Sequence, residues 1–126
     1  MRVLLDTHVF LWAATDSRKL KQAVRDVLRQ ASEIYVSAAS IWEVAIKRRL
    51  GKIDADPGAL VAAIEPSGFL PLAIAPRHAA LVEALPDHHR DPFDRILIAQ
   101  ALVEPLHLIT ADRALSAYSD LVMVID

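Results

Sequence analysis

Four acids raise the first chemical question in this chain. Asp6 follows the apolar triplet Val3-Leu4-Leu5, and Asp112 stands three residues beyond Ile109. Glu43 and Asp94 lie inside strongly patterned segments, Ser37 to Leu50 and Phe93 to Val103. There is no cysteine, and the histidines form no well-spaced pair. Carboxylates gathered without sulfur or paired imidazole are ligands for a hard cation, which suits Mg²⁺ or Mn²⁺. Such ions can generate hydroxide and stabilise the leaving oxygen of an in-line phosphoryl displacement. Without cations, carboxylates at this density repel one another and some stay protonated.

Each acid also has a plainer role. Asp6 can cap a helix starting at Thr7, and Glu43 can pair with Lys47 one turn on. Asp91-Pro92-Phe93-Asp94 reads as an N-cap, a proline at the first helical position and an acid in the first turn. Asp112 sits where a helix dipole favours an acid. None of these roles explains why all four acids fall at one end of a fold.

The elements that must position them follow from periodicity. Val3-Leu4-Leu5, Ile34-Tyr35-Val36, His107-Leu108-Ile109 and Val122 to Ile125 read as short buried strands. Phe69 to Ala73 reads as a further strand, and Pro71 marks it as an edge. Helical patterns cover Thr7 to Ala14, Leu20 to Ala31, Ser37 to Leu50, a segment opened by Asp56-Pro57, Arg77 to Ala84, Phe93 to Val103 and Ala111 to Tyr118. Gly51 stands at a C-terminal cap position. Strands alternating with helices imply an α/β fold whose parallel sheet is covered on both faces. Ligands of such sheets bind at the carboxyl ends of the strands. Asp6 and Asp112 follow strands directly, Glu43 lies two turns into the helix leaving Val36, and Asp94 tops an apolar stripe of Leu97, Ile98 and Ala101. A carboxylate there is costly unless compensated, and a metal ion compensates it.

The bulk composition agrees. The chain has 126 residues, 54 % of them hydrophobic, the size of one domain with a sizeable core; residues 1–126 are read as that domain. No apolar run approaches a membrane span, and the absence of cysteine fits a cytoplasmic protein. A net charge of -2 is less basic than most nucleic-acid binders, which matters less if the acids surround cations. Lys47, Arg48, Arg49 and Lys52 form the densest basic group, either a solvated helix end or a phosphate contact beside Glu43. Arg95 and Arg113 are weaker phosphate candidates. His88 and His89 read as solvated loop residues, His8 and His107 as packing or surface residues, and Trp12, Trp42 and Phe93 as core.

The blocks Leu4-Leu5-Asp6-Thr7-His8, Ser37 to Lys47, Asp91 to Ala101 and Ile109-Thr110-Ala111-Asp112, in this order, resemble the PIN-domain nucleases, and among them the VapC toxins of VapBC toxin–antitoxin pairs. The family's four acidic positions fall on Asp6, Glu43, Asp94 and Asp112, and its serine or threonine before the last acid falls on Thr110. The resemblance implies a three-layer α/β/α sandwich with a twisted, mainly parallel sheet of about five strands. It implies divalent-metal-dependent hydrolysis of RNA phosphodiesters, a VapB-type antitoxin as partner, and a homodimer. A receiver domain would need paired acids at the first strand and a lysine after a late one, and neither is present. A PIN fold used only for binding would not need the intact acidic quartet. A structured-DNA substrate would call for added helical elements that a chain this short lacks.

Overall fold

The computed structural model describes residues 1–125. The strands are β1 (Arg2–Leu5), β2 (Glu33–Ser37), β3 (Leu70–Leu72), β4 (His107–Thr110) and β5 (Val122–Val124). They form one sheet in the order β3-β2-β1-β4-β5, every pairing parallel. β3 is an edge strand, as Pro71 requires. The helices are α1 (Thr7–Ala14), α2 (Gln22–Gln30), α3 (Ala38–Arg49), α4 (Pro57–Ile64), α5 (Pro76–Leu81) and α6 (Pro92–Val103).

Strand alternation divides the core. Val3 and Leu5 of β1 and Ile109 of β4 pack with Val9, Phe10, Val24, Val44, Leu60 and Ile64 from α1 to α4. Leu4 and Leu108 point the other way, onto Leu97, Ile98 and Ala101 of α6. Two helical layers therefore sandwich the sheet.

The helix ends follow their local chemistry. Asp56 and Asp91 are N-caps with proline next in the helix. Gly51 has φ 75°, its N–H bonds to Arg48 O, and the Lys52 N–H reaches back to Lys47 O. This is a Schellman closure, which favours glycine at that position.

Three expected helices come out shorter. α2 begins at Gln22, and Leu20 is buried in the turn that precedes it. The segment expected to be helical from Arg77 to Ala84 starts at Pro76 and tightens into a 3₁₀ turn over Val82–Ala84. Ala111 to Tyr118 is not an α-helix but a 3₁₀ segment, Arg113–Ala117. There β4 and β5 are adjacent and parallel, so a short connection must return the chain along the sheet.

The strand order has its switch point between β1 and β4. From β1 the chain moves out to β2, whereas β4 leads to β5 on the other side. Such a point opens a crevice at the carboxyl ends of the two strands.

Candidate active site

Asp6 leaves β1 at that crevice. Its Oδ1 accepts the Val9 N–H at 2.8 Å and so caps α1. Thr110, at the end of β4, donates its hydroxyl to Asp6 Oδ2 at 2.5 Å. The same Thr110 oxygen accepts the Asp112 N–H at 3.0 Å. One fully buried hydroxyl thus links the acids that follow the two central strands. Burial raises the pKa of Asp6, and the Thr110 and Val9 hydrogen bonds oppose that rise.

Glu43 reaches the crevice from α3, with only 5 % of its side chain exposed. The Thr7 hydroxyl donates to Oε1 at 2.6 Å, and Lys47 Nζ donates to Oε2 at 2.5 Å. Ser40 Oγ backs Thr7 at 3.0 Å.

Asp94 sits in the first turn of α6. Asp91 Oδ1 accepts the N–H groups of Phe93 and Asp94, at 2.8 and 3.3 Å, and so does the capping. Among the described residues nothing donates a hydrogen bond to the Asp94 carboxylate; His89 Nε2 stands 3.5 Å away. Burial first, then the charge of Asp91, pushes the Asp94 pKa up to about 7, with Glu43 and Asp6 adding to the rise.

Asp112 caps the 3₁₀ segment through Ala114 N–H at 3.0 Å and meets His89 Nε2 at 2.9 Å. The His89 tautomer follows from its other nitrogen. Nδ1 accepts the Asp91 N–H at 3.1 Å, so the ring proton lies on Nε2 and is donated to Asp112.

The four acids line one pocket of about 300 Å³, together with Asp91, Lys47, His8, Trp12 and Ala111. A family model described as PIN domain matches residues 3–121 of this chain. The chain belongs to the PIN-domain family. This PIN domain is 30 % identical over 118 residues to Ribonuclease VapC22 of Mycobacterium tuberculosis, a match spanning 92 % of this chain and 91 % of that protein. That likeness places it with the VapC proteins. Its fold is shared by VapBC2 from Rickettsia felis, solved bound to a DNA fragment from their promoter. There the TM-score is 0.68 at 12 % identity, over 99 % of this chain and 98 % of that one. FitAcB from Neisseria gonorrhoeae has a TM-score of 0.60 at 18 % identity, over 90 % and 89 %.

Within this PIN domain the plain roles of the acids coexist with their convergence. Asp6, Asp91 and Asp112 do cap helical segments, and Glu43 does pair with Lys47. Of the basic residues proposed from sequence, only Lys47 lines the pocket. Arg48 is drawn to Asp56 at 3.2 Å, and Arg49 is exposed outside the pocket wall. Arg95 is no phosphate ligand. Its guanidinium donates to the carbonyls of Val82, Leu85, Pro86 and His89 and to the Tyr118 hydroxyl.

The structure also corrects two sequence expectations. His89 is not a solvated loop residue, because its ring is committed at both nitrogens. Trp42 and Phe93 are not core: Trp42 is 56 % exposed and meets the half-buried Phe93 edge-on at 5.0 Å. Thr7 and Ser40 carried no signal of a role beside Glu43 beyond their nearness to its helix and to Asp6.

Proposed function

We propose that this chain is a divalent-metal-dependent endoribonuclease, the toxin of a toxin–antitoxin pair. The observation that carries the reading is the convergence of Asp6, Glu43, Asp94 and Asp112, from four separate elements, on one pocket at the switch point of the sheet. The identity to a named ribonuclease over nearly the whole chain supports it.

The donor set suits Mg²⁺ or Mn²⁺. The lone pairs that remain for a cation are on carboxylate oxygens, and the nearby imidazole carries its proton toward Asp112 and offers no lone pair there. Such an ion supplies an activated water and stabilises charge on the leaving oxygen. The protein's own residues do the rest. Thr110 fixes the spacing of Asp6 and Asp112, and Thr7 fixes Glu43. His89 orients Asp112. Asp94, held by no hydrogen bond among the described residues and raised in pKa by burial, is the carboxylate with most to gain from a cation. Lys47 balances Glu43 and stands where a phosphate oxygen would be received.

The partners of this reading are RNA, a VapB-type antitoxin and a second copy of the chain. Trp42 and Ile46 of α3, Leu50 at its C-cap, Val61 of α4, and Leu70 and Ile74 at the β3 edge are all exposed apolar residues. Of these, Trp42 and Val61 line an apolar groove of about 460 Å³ between α3, α4 and β3, a surface suited to protein contact. Light scattering at tens of micromolar is expected to give the mass of two chains. A monomer mass would contradict the homodimer. Among the described residues no helix is long and apolar enough to cross a membrane.

The test of the site sets Asp94 against Asp91. Asp94→Asn keeps the shape and removes the charge, so RNA cleavage is expected to fall by orders of magnitude with the fold intact. Asp91→Asn is expected to retain most activity, since asparagine caps a helix about as well as aspartate. The opposite ranking would show that the acid was misassigned.

A further inference from the structure

We propose that the same pocket holds an unpaired nucleobase next to the scissile phosphate, on a platform made by His8 and Trp12 of α1. The proposal rests on the ribonuclease reading above.

α1 begins at Asp6, so its first two turns stand beside the acids. Val9 and Phe10 are buried and fasten the helix to the sheet. His8 and Trp12 are one turn apart and share a different face. Their ring centroids are 6.3 Å apart at 53°, and both line the pocket with the four acids. Trp12 is half-buried and backed by the main core, so its position is fixed; His8 is exposed.

Apart from the small Ala111, the rest of the wall is carboxylate and Lys47, which handle a cation and a phosphate but give no ring surface for an uncharged planar group. A phosphodiester bound at the cation that Asp6 and Asp94 would hold carries its base only a sugar's length away. An aromatic side chain bordering the same cavity can supply the stacking surface such a base needs, without demanding a particular sequence. Trp42 does not compete for this role, because it lines the apolar groove between α3, α4 and β3 instead.

The test uses purified full-length protein, Mn²⁺ and a short single-stranded RNA that it cuts. Cleavage and anisotropy binding are measured for wild type, Trp12→Ala, Trp12→Phe and His8→Ala. The same RNA is used intact and with an abasic nucleotide on either side of the cut bond. Stacking on one aromatic residue corresponds to about 5- to 150-fold in affinity. Trp12→Ala is expected to raise KM for intact RNA within that range, with Trp12→Phe recovering most of the loss and His8→Ala showing a smaller one. On the abasic RNA that weakens wild type, Trp12→Ala is expected to cost nothing further. If Trp12→Ala does not fold, the His8→Ala and Trp12→Phe comparison on the two RNAs decides. An equal loss on intact and abasic RNA would mean a purely structural role and overturn the platform. An unchanged KM for intact RNA in Trp12→Ala would overturn it as well. Wild type that neither cuts nor binds RNA would overturn the ribonuclease reading itself, whereas efficient cutting by variants with unchanged KM overturns the platform alone.

Discussion

Asp94 is held at about 7 by burial and by the charge of Asp91, against an ordinary value of 3.8. A folded-state pKa above the unfolded one means that the folded protein binds more protons in that window. Stability of the metal-free protein therefore falls as pH rises from about 4 to about 7, and levels off above it. Asp6 is shifted in the same direction by burial. In EDTA the melting temperature is expected to be higher at pH 5 than at pH 8, and Asp94→Asn to flatten part of that slope. Scanning calorimetry across this range checks it; a melting temperature that climbs toward pH 8 would contradict the assigned burial. The acids themselves were legible because Asp6 and Asp112 follow strands, Asp94 opens a patterned helix and Glu43 lies two turns into another. Their supports were not. Thr7 meets Glu43 across 36 residues and His89 meets Asp112 across 23, and no local spacing encodes such contacts.

Between residue and fold stands the segment from Val82 to His89, which brings His89 to the site. It has little regular structure of its own, and Arg95 on α6 gathers four of its carbonyls. The guanidinium fork is what allows one side chain to serve so many acceptors; lysine offers a compact ammonium instead. Arg95→Lys is expected to destabilise the protein by about 2 kcal/mol and to expose residues 86–90 to proteolysis. Urea denaturation and limited digestion read both effects, and wild-type behaviour in both would remove Arg95 from this role. Strands and helix caps were readable from alternation and from Asp-Pro and Gly signals. Helix lengths near the site were less so. The run after Thr110 has the apolar content of a helix, yet the return to β5 beside β4 allows only a 3₁₀ segment.

Across the whole molecule, the sheet order converts four acids spread over the chain into neighbours. β1 and β4 lie side by side and lead out in opposite directions, so Asp6 and Asp112 meet at their ends, while α3 and α6 bring in Glu43 and Asp94. The alternation of strands and helices made the parallel sheet legible. The strand order was not, since adjacency of β1 and β4 depends on packing both helical layers at once. The apolar content also did not reveal that Trp42 would face outward, because periodicity on α3 cannot distinguish a buried apolar face from an exposed one. The central claim is that this convergence is a metal-dependent nuclease centre. It is tested most directly by incubating purified protein with single-stranded RNA in Mg²⁺ or Mn²⁺ and in excess EDTA, with Asp94→Asn prepared in parallel to exclude a contaminant. Cleavage is expected with the metals, to vanish in EDTA, to return when Mn²⁺ is restored, and to be absent in the variant. Equal cleavage by the wild type with metal and in EDTA, lost in Asp94→Asn, would contradict it.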